Sequence, residues 1–297
     1  MTILLYAMTA ILYAGLAVAS WQGYRRDAAL VIDGAGGARM PAGAGSNALH
    51  WPLQGVLLVA LVVHGVLLHQ TIFRADSMYF GFAYALSAML WLSVGIYWIE
   101  SFFFPLDSLR ILVMPTASLA CLMPLLFADN RILSFAANPV FKLHFIIANM
   151  AYGLFALAAL HAMLMLYAER QLHPARAGER SGGWLTRWLD TLPPLLTLEK
   201  LLFRLIGAGF VLLTLTLVSG VMFSETLFGR AVRIDHKTVF AVISWVMFGA
   251  VLVGRQLYGW RGKVALRWVL ASFVTLLLAY VGSRFVLEVV LHRMTER

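Results

Sequence analysis

Eight apolar runs, each near or above 18 residues, follow one another along this 297-residue chain, and no soluble core can absorb them all. A helix crosses the roughly 30 Å hydrocarbon layer in about 20 residues, at about 1.5 Å of rise per residue. Hydrophobic residues make up 61% of the chain and charged ones 12%, so much apolar surface must face lipid. The fold class expected is all-α, a polytopic membrane protein of eight transmembrane helices forming one integral-membrane domain over residues 1–297. The spans are expected at about Thr2 to Ser20, Trp51 to Ile72, Met78 to Ile99, Ile111 to Phe127, Phe141 to Tyr167, Leu201 to Phe223, Thr238 to Leu257 and Val264 to Leu291.

Charge sets the orientation. The net charge of +9 would suggest nucleic acid in a soluble chain, but in a membrane protein excess Lys and Arg collect in cytoplasmic loops. The lipid bilayer is thus the expected partner, and nucleic acid is not. Assigning loops to alternate sides places 14 of the 23 basic residues on one side, Arg25, Arg26, Arg170, Arg255 and Arg261 among them. That side is expected to be cytoplasmic, with both termini and the connection from Phe223 to Lys237 on the outer, periplasmic side of a bacterial inner membrane. Ala17-Val18-Ala19 resembles a signal-peptidase site, but no basic residue precedes the run, so an uncleaved anchor is expected.

The Gly/Ala-rich stretch from Asp33 to Ser46 holds nothing that could fill a core and reads as a flexible loop. A basic cytoplasmic loop is expected at about 169–200, where Trp184 to Leu192 could lie flat in the headgroups or form part of a solvated linker. Cys121, the one cysteine, lies inside an apolar run, which excludes an intramolecular disulfide, a CxxC redox pair and covalent haem attachment through CxxCH.

Histidine is costly to place inside a membrane, so its placement is informative. Alternating spans put His69, His144, His236 and His292 near the outer surface with His64 below them, and four or five imidazoles are expected to gather there. His50 and His161 fall toward the inner side, and His173 in the cytoplasmic loop. Imidazole ligates haem iron and zinc alike. Asp235 and Glu225 keep zinc open, whereas Phe223, Phe228 and Phe240 around His236 favour a flat apolar macrocycle. Arg230, Arg233 and Lys237 are the nearby cations for its propionates. The same aromatics also suit interfacial anchoring.

The stretch from Ser219-Gly220 through Phe223, Glu225, Phe228-Gly229 and Asp235-His236-Lys237 to Phe240 and Trp245 resembles the core hairpin of the cytochrome c assembly family of haem-handling membrane proteins, the CcsA/CcmC/HemX-like group. In that family a tryptophan-rich outer loop ends in Trp-x-Trp-Asp. Here Val232 and Ile234 replace the two tryptophans and His236 a proline, a degenerate version of the motif. Lys142-Leu143-His144 with Ala151-Tyr152 is similar to the helix bearing the family's first external haem ligand, a role the resemblance gives to His144. The second external ligand corresponds to His292, one residue out of register. Pro193-Pro194, Gly259-Trp260-Arg261-Gly262 and Gly282-Ser283-Arg284-Phe285 resemble the eight-span YpjD-type subgroup.

The function expected is haem binding or haem handling in cytochrome c biogenesis. Non-covalent b-type haem would be held near the outer face, even if only transiently, by His144 with His236 or His64 and be flanked by Phe223 and Phe228. Other biogenesis proteins would be its partners. Without a thiol pair to keep apocytochrome cysteines reduced, an accessory or chaperone role fits better than a haem ligase. Two other classes are carried. In a dihaem b-type electron carrier, His64 would pair with His144 and His50 with His161. In a transporter accessory subunit, Glu288 and Arg284, four residues apart, would be the polar pair.

Overall fold

The computed structural model describes residues 2–32, 46–74, 77–127, 139–172, 192, 194–228 and 236–282. Eight helices account for nearly all of them: α1 (Thr2–Ile32), α2 (Ser46–Ile72), α3 (Phe82–Glu100), α4 (Asp107–Leu126), α5 (Pro139–Leu172), α6 (Leu195–Phe228), α7 (His236–Tyr258) and α8 (Gly262–Leu277), the last continuing as a π-helical turn to Gly282. Between α2 and α3, Phe73–Arg74 (β1) pairs antiparallel with Ser77–Met78 (β2). Among the described residues α1 to α7 are each long and apolar enough to cross a membrane. The all-α polytopic class holds, and the second span coincides with the expected Trp51 to Ile72. The part of the expected eighth span beyond Gly282 lies outside the described residues, as do residues 33–45 and the loop segment Trp184 to Thr191.

The outward surfaces are those of a protein in lipid. Leu4, Ile11, Val62, Leu119, Val211 and Val246 are all more than half exposed. Hydroxyls inside the spans bond to the carbonyl one turn back: Thr9 to Leu5, Ser93 to Met89, Thr214 to Phe210 and Ser272 to Trp268, each at 2.7–2.8 Å. No water is present in hydrocarbon to satisfy such groups, so the helix does so itself.

Between helices, lipid tails are as apolar as Leu, and close packing at small residues supplies the attraction. Gly153 of α5 lies so near α3 that a Cβ on it would stand 2.9 Å from the Leu92 Cβ, and its carbonyl accepts a 2.9 Å hydrogen bond from Ser93 Oγ. Gly209 of α6 lies beneath the Phe155 ring of α5, which stacks on Phe248 of α7 at 3.8 Å between centroids. One turn nearer the α6–α7 connection, Trp245 donates to Thr214 Oγ1 at 2.9 Å and its ring lies parallel to Phe210.

The opposite end of the α5–α8 layer is closed by the Gly259-Trp260-Arg261-Gly262 turn. Both glycines have the left-handed φ, +63° and +59°, that a side chain disfavours. Trp260 folds back over Gly254, its N–H bonding to the Gly254 carbonyl at 3.1 Å, while Arg261 reaches Glu199 at 3.4 Å. Arg255 lays its guanidinium 3.7 Å above the Phe203 ring.

Candidate functional site

The α6–α7 hairpin differs from expectation in one respect. The outer connection was expected from Phe223 to Lys237, but α6 remains helical through Phe228 and α7 begins at His236, leaving residues 229–235 as the connection. Ser-Glu-Thr-Leu after Phe223 contains no helix breaker, and Gly229 is the first residue suited to stop the helix. Phe223 and Phe228 thus belong to the last turns of α6, and their side chains lie outside the described residues, as do Arg230, Arg233 and Asp235.

His144, in the second turn of α5, is half-buried against α6. Its Nδ1 is 2.9 Å from Ser219 Oγ, and the Ser219 hydroxyl also lies 3.2 Å from the Thr216 carbonyl. Next to Ser219, Gly220 faces the imidazole: a Cβ there would meet His144 Cε1 at 3.4 Å. Ser219-Gly220 therefore gives the ring a hydroxyl to fix its orientation and a place without a side chain beside it. Around this seat Leu143, Ile146, Val218 and Met222 are each more than half exposed.

His236 opens α7 and is exposed. It precedes Trp245 by nine residues, and Ser219 follows that tryptophan's partner Thr214 by five, so at about 1.5 Å per residue His236 stands roughly 6 Å farther toward the connection than the His144–Ser219 pair. The two histidines thus occupy neighbouring levels of one hairpin end.

His64 is seated differently. It is fully buried, with Nδ1 3.3 Å from the Tyr13 hydroxyl of α1 and Nε2 3.0 Å from Ser87 Oγ of α3. Both ring nitrogens are engaged, and an iron bond requires one of these contacts to break. Its depth is close to that of His144. Phe80 meets Phe145 and Ser93 meets Gly153, so α3 and α5 run parallel, and the Ser87 level falls roughly 5 Å from the His144 level. The two imidazoles nonetheless face different interfaces, α1–α2–α3 for one and α5–α6 for the other.

Of the four or five imidazoles expected to gather, His292 lies outside the described residues, and His64 and His144 sit at separate interfaces. Among the described residues no group of three or more His, Cys, Asp or Glu side chains could hold a metal ion. His69 lies on an open groove between α2 and α3. His161 is fully buried, with Nδ1 donating to the Leu157 carbonyl at 3.0 Å. His292, His173, Arg284 and Glu288 lie outside the described residues, as does the side chain of His50. Residue spacing gives a histidine its depth, whereas the packing partner decides which way it faces. Tyr13, Ser87, Ser219 and Gly220 are those partners, and only Ser219-Gly220 carried a sequence signal, as the start of the hairpin stretch.

The family described as Cytochrome C assembly protein matches residues 52–291 of this chain. The inner membrane protein YpjD of Escherichia coli is 30% identical over 173 residues, covering 58% of this chain and 60% of that protein. An uncharacterized 28.8 kDa protein of Azospirillum brasilense is 35% identical over 151 residues, 50% of this chain and 52% of the relative. The cytochrome c biogenesis protein CcsA of Gloeobacter violaceus is 32% identical over 92 residues, 31% of this chain and 27% of that protein. The chain thus spans at most about three fifths of the length of these curated relatives.

Proposed function

This chain belongs to the cytochrome c assembly protein family, and from that premise we propose that it holds haem, non-covalently and in transit, at the α6–α7 connection end of the bundle through His144. It is a multi-pass inner-membrane protein. The observation carrying the proposal is the seat of His144 beside Ser219 and Gly220.

That seat fits a porphyrin iron. With Nδ1 beside the Ser219 hydroxyl, His144 would hold the iron through Nε2, and the Ser219 contact would fix the plane of the imidazole. The missing side chain at Gly220 leaves the macrocycle an approach, and Leu143, Ile146 and Met222 offer apolar surface to its faces. When bound, haem would supply a redox-active iron. His236, about one turn away along the hairpin, is the proposed second ligand, and His64 could replace it only by giving up Tyr13 or Ser87. Phe223 and Phe228 are proposed to flank the ring, and Lys237, Arg230 and Arg233 to meet the propionates.

The role proposed is that of an accessory or chaperone that presents haem to other cytochrome c biogenesis proteins on the outer, periplasmic side. A ligase joining haem to cysteines needs those thiols kept reduced. The one thiol here, Cys121, is fully buried in α4 and donates to the Ser118 carbonyl. The positive-inside distribution supports the outer placement. A pyridine haemochrome assay on purified protein tests the reading: one haem or less per chain is expected, and two would support the dihaem carrier instead.

A further inference from the structure

Away from the His144 seat, a groove of about 650 Å³ lies between α2 and α3, bordered by Met150 of α5. Along α2 it runs from Leu58 to Gln70, about 18 Å at about 1.5 Å per residue. Its walls are aliphatic and aromatic. The indole N–H groups of Trp91 and Trp98 are committed to the Leu61 and Gln54 carbonyls, at 2.9 and 3.3 Å, so these residues contribute ring surface and no donor. Gly65 lets Trp91 sink into the floor, where a Cβ would stand 3.1 Å from its ring, and Gly95 has nothing within 4 Å of the Cβ position.

Polar groups occur at one end alone. His69 and Gln70 line that rim, both exposed and neither with a hydrogen-bond partner among the described residues, and no Lys or Arg is in the described lining. An imidazole and a carboxamide can each donate one hydrogen bond to an uncharged carbonyl oxygen. A phospholipid head would bring an anionic phosphate to a groove whose described lining offers no cation to receive it. We propose that this groove binds an isoprenoid quinone, with a ring carbonyl at His69 and Gln70 and the tail along Trp91, Gly95 and Trp98. Met150, which borders the groove, and His144 are six residues apart on α5, roughly 120° around the helix, and α6 contributes no described residue to the lining. Quinone binding is therefore independent of the haem reading.

The test uses full-length protein in nanodiscs of phosphatidylcholine doped with a long-chain ubiquinone. After affinity capture and washing, quinone and phospholipid are extracted and counted per chain. Close to one quinone per wild-type chain is expected. Gly95→Leu, whose Cβ would have nothing within 4 Å and whose branches would extend into the groove, should lower retention about tenfold with a melting temperature within a few degrees of wild type. His69→Ala with Gln70→Leu should lower it several-fold, and these exposed positions carry the test if Gly95→Leu does not fold. His144→Ala should leave quinone retention unchanged. Equal quinone retention in wild type and the groove variants overturns the proposal, as does displacement of phosphatidylcholine rather than quinone by Gly95→Leu.

Discussion

His144 and Ser219 meet across the α5–α6 interface, imidazole Nδ1 to hydroxyl Oγ at 2.9 Å, 75 residues apart in sequence. The contact ties the helix that resembles the family's ligand-bearing span to the helix that leads into the hairpin. It also makes the orientation of His144 depend on a residue that can be changed without touching the imidazole. Ser219→Ala should cost about 1 kcal/mol of stability. It should also weaken haem retention several-fold without abolishing it, as measured by haem-to-protein ratio after size exclusion.

Gly220 allows a graded test. A Cβ at this position stands 3.4 Å from His144 Cε1, an ordinary contact, so Gly220→Ala should keep the fold and most of the haem. Gly220→Leu extends into the approach to the ring and should remove haem while leaving the melting temperature within a few degrees of wild type. Equal haem content in both variants would place the macrocycle elsewhere.

His64 joins α1, α2 and α3 through Tyr13 and Ser87, all three residues being fully or almost fully buried. His64→Ala leaves a buried hydroxyl without its partner on each side and opens a cavity. It should destabilise the protein by about 2–4 kcal/mol in a denaturant titration. Haem per folded chain should not change, whereas a ligand role for His64 would show as a lost or shifted Soret band.

Much of the fold was legible in the sequence because an apolar run of about 20 residues has few alternatives to crossing the bilayer. Trp51 to Ile72 shows this, since its boundaries coincide with those of the span found. The hairpin connection was read too long, because polar residues such as Ser224 and Glu225 mark the edge of hydrocarbon without ending a helix. For the candidate site, residue spacing carries the level of a histidine along its helix but not its direction. The histidine positions place His64 and His144 at similar levels, yet the facing of each depends on hydroxyls from distant segments, Tyr13 at 51 residues' separation and Ser219 at 75. The Gly259-Trp260-Arg261-Gly262 motif acquires a physical meaning only in three dimensions, as a turn pressed onto Gly254.

That turn makes a prediction about stability alone. A Cβ on Gly254 would lie 2.6 Å from the Trp260 ring, closer than packed atoms stand, so Gly254→Ala must push the indole away. A loss of about 1–3 kcal/mol is expected, with haem content per folded chain unaffected. Denaturant midpoints of Gly254→Ala and of Gly15→Ala, where nothing lies within 4 Å, supply the comparison.

The most direct measurement is the absorption spectrum of detergent-purified wild type beside His144→Ala at equal protein concentration. The wild type should carry a Soret band with the α and β bands of an imidazole-ligated b-type haem, and His144→Ala should lose most of it while eluting as the same folded species. A Soret band of unchanged position and intensity in His144→Ala would contradict the assignment of His144 to the iron.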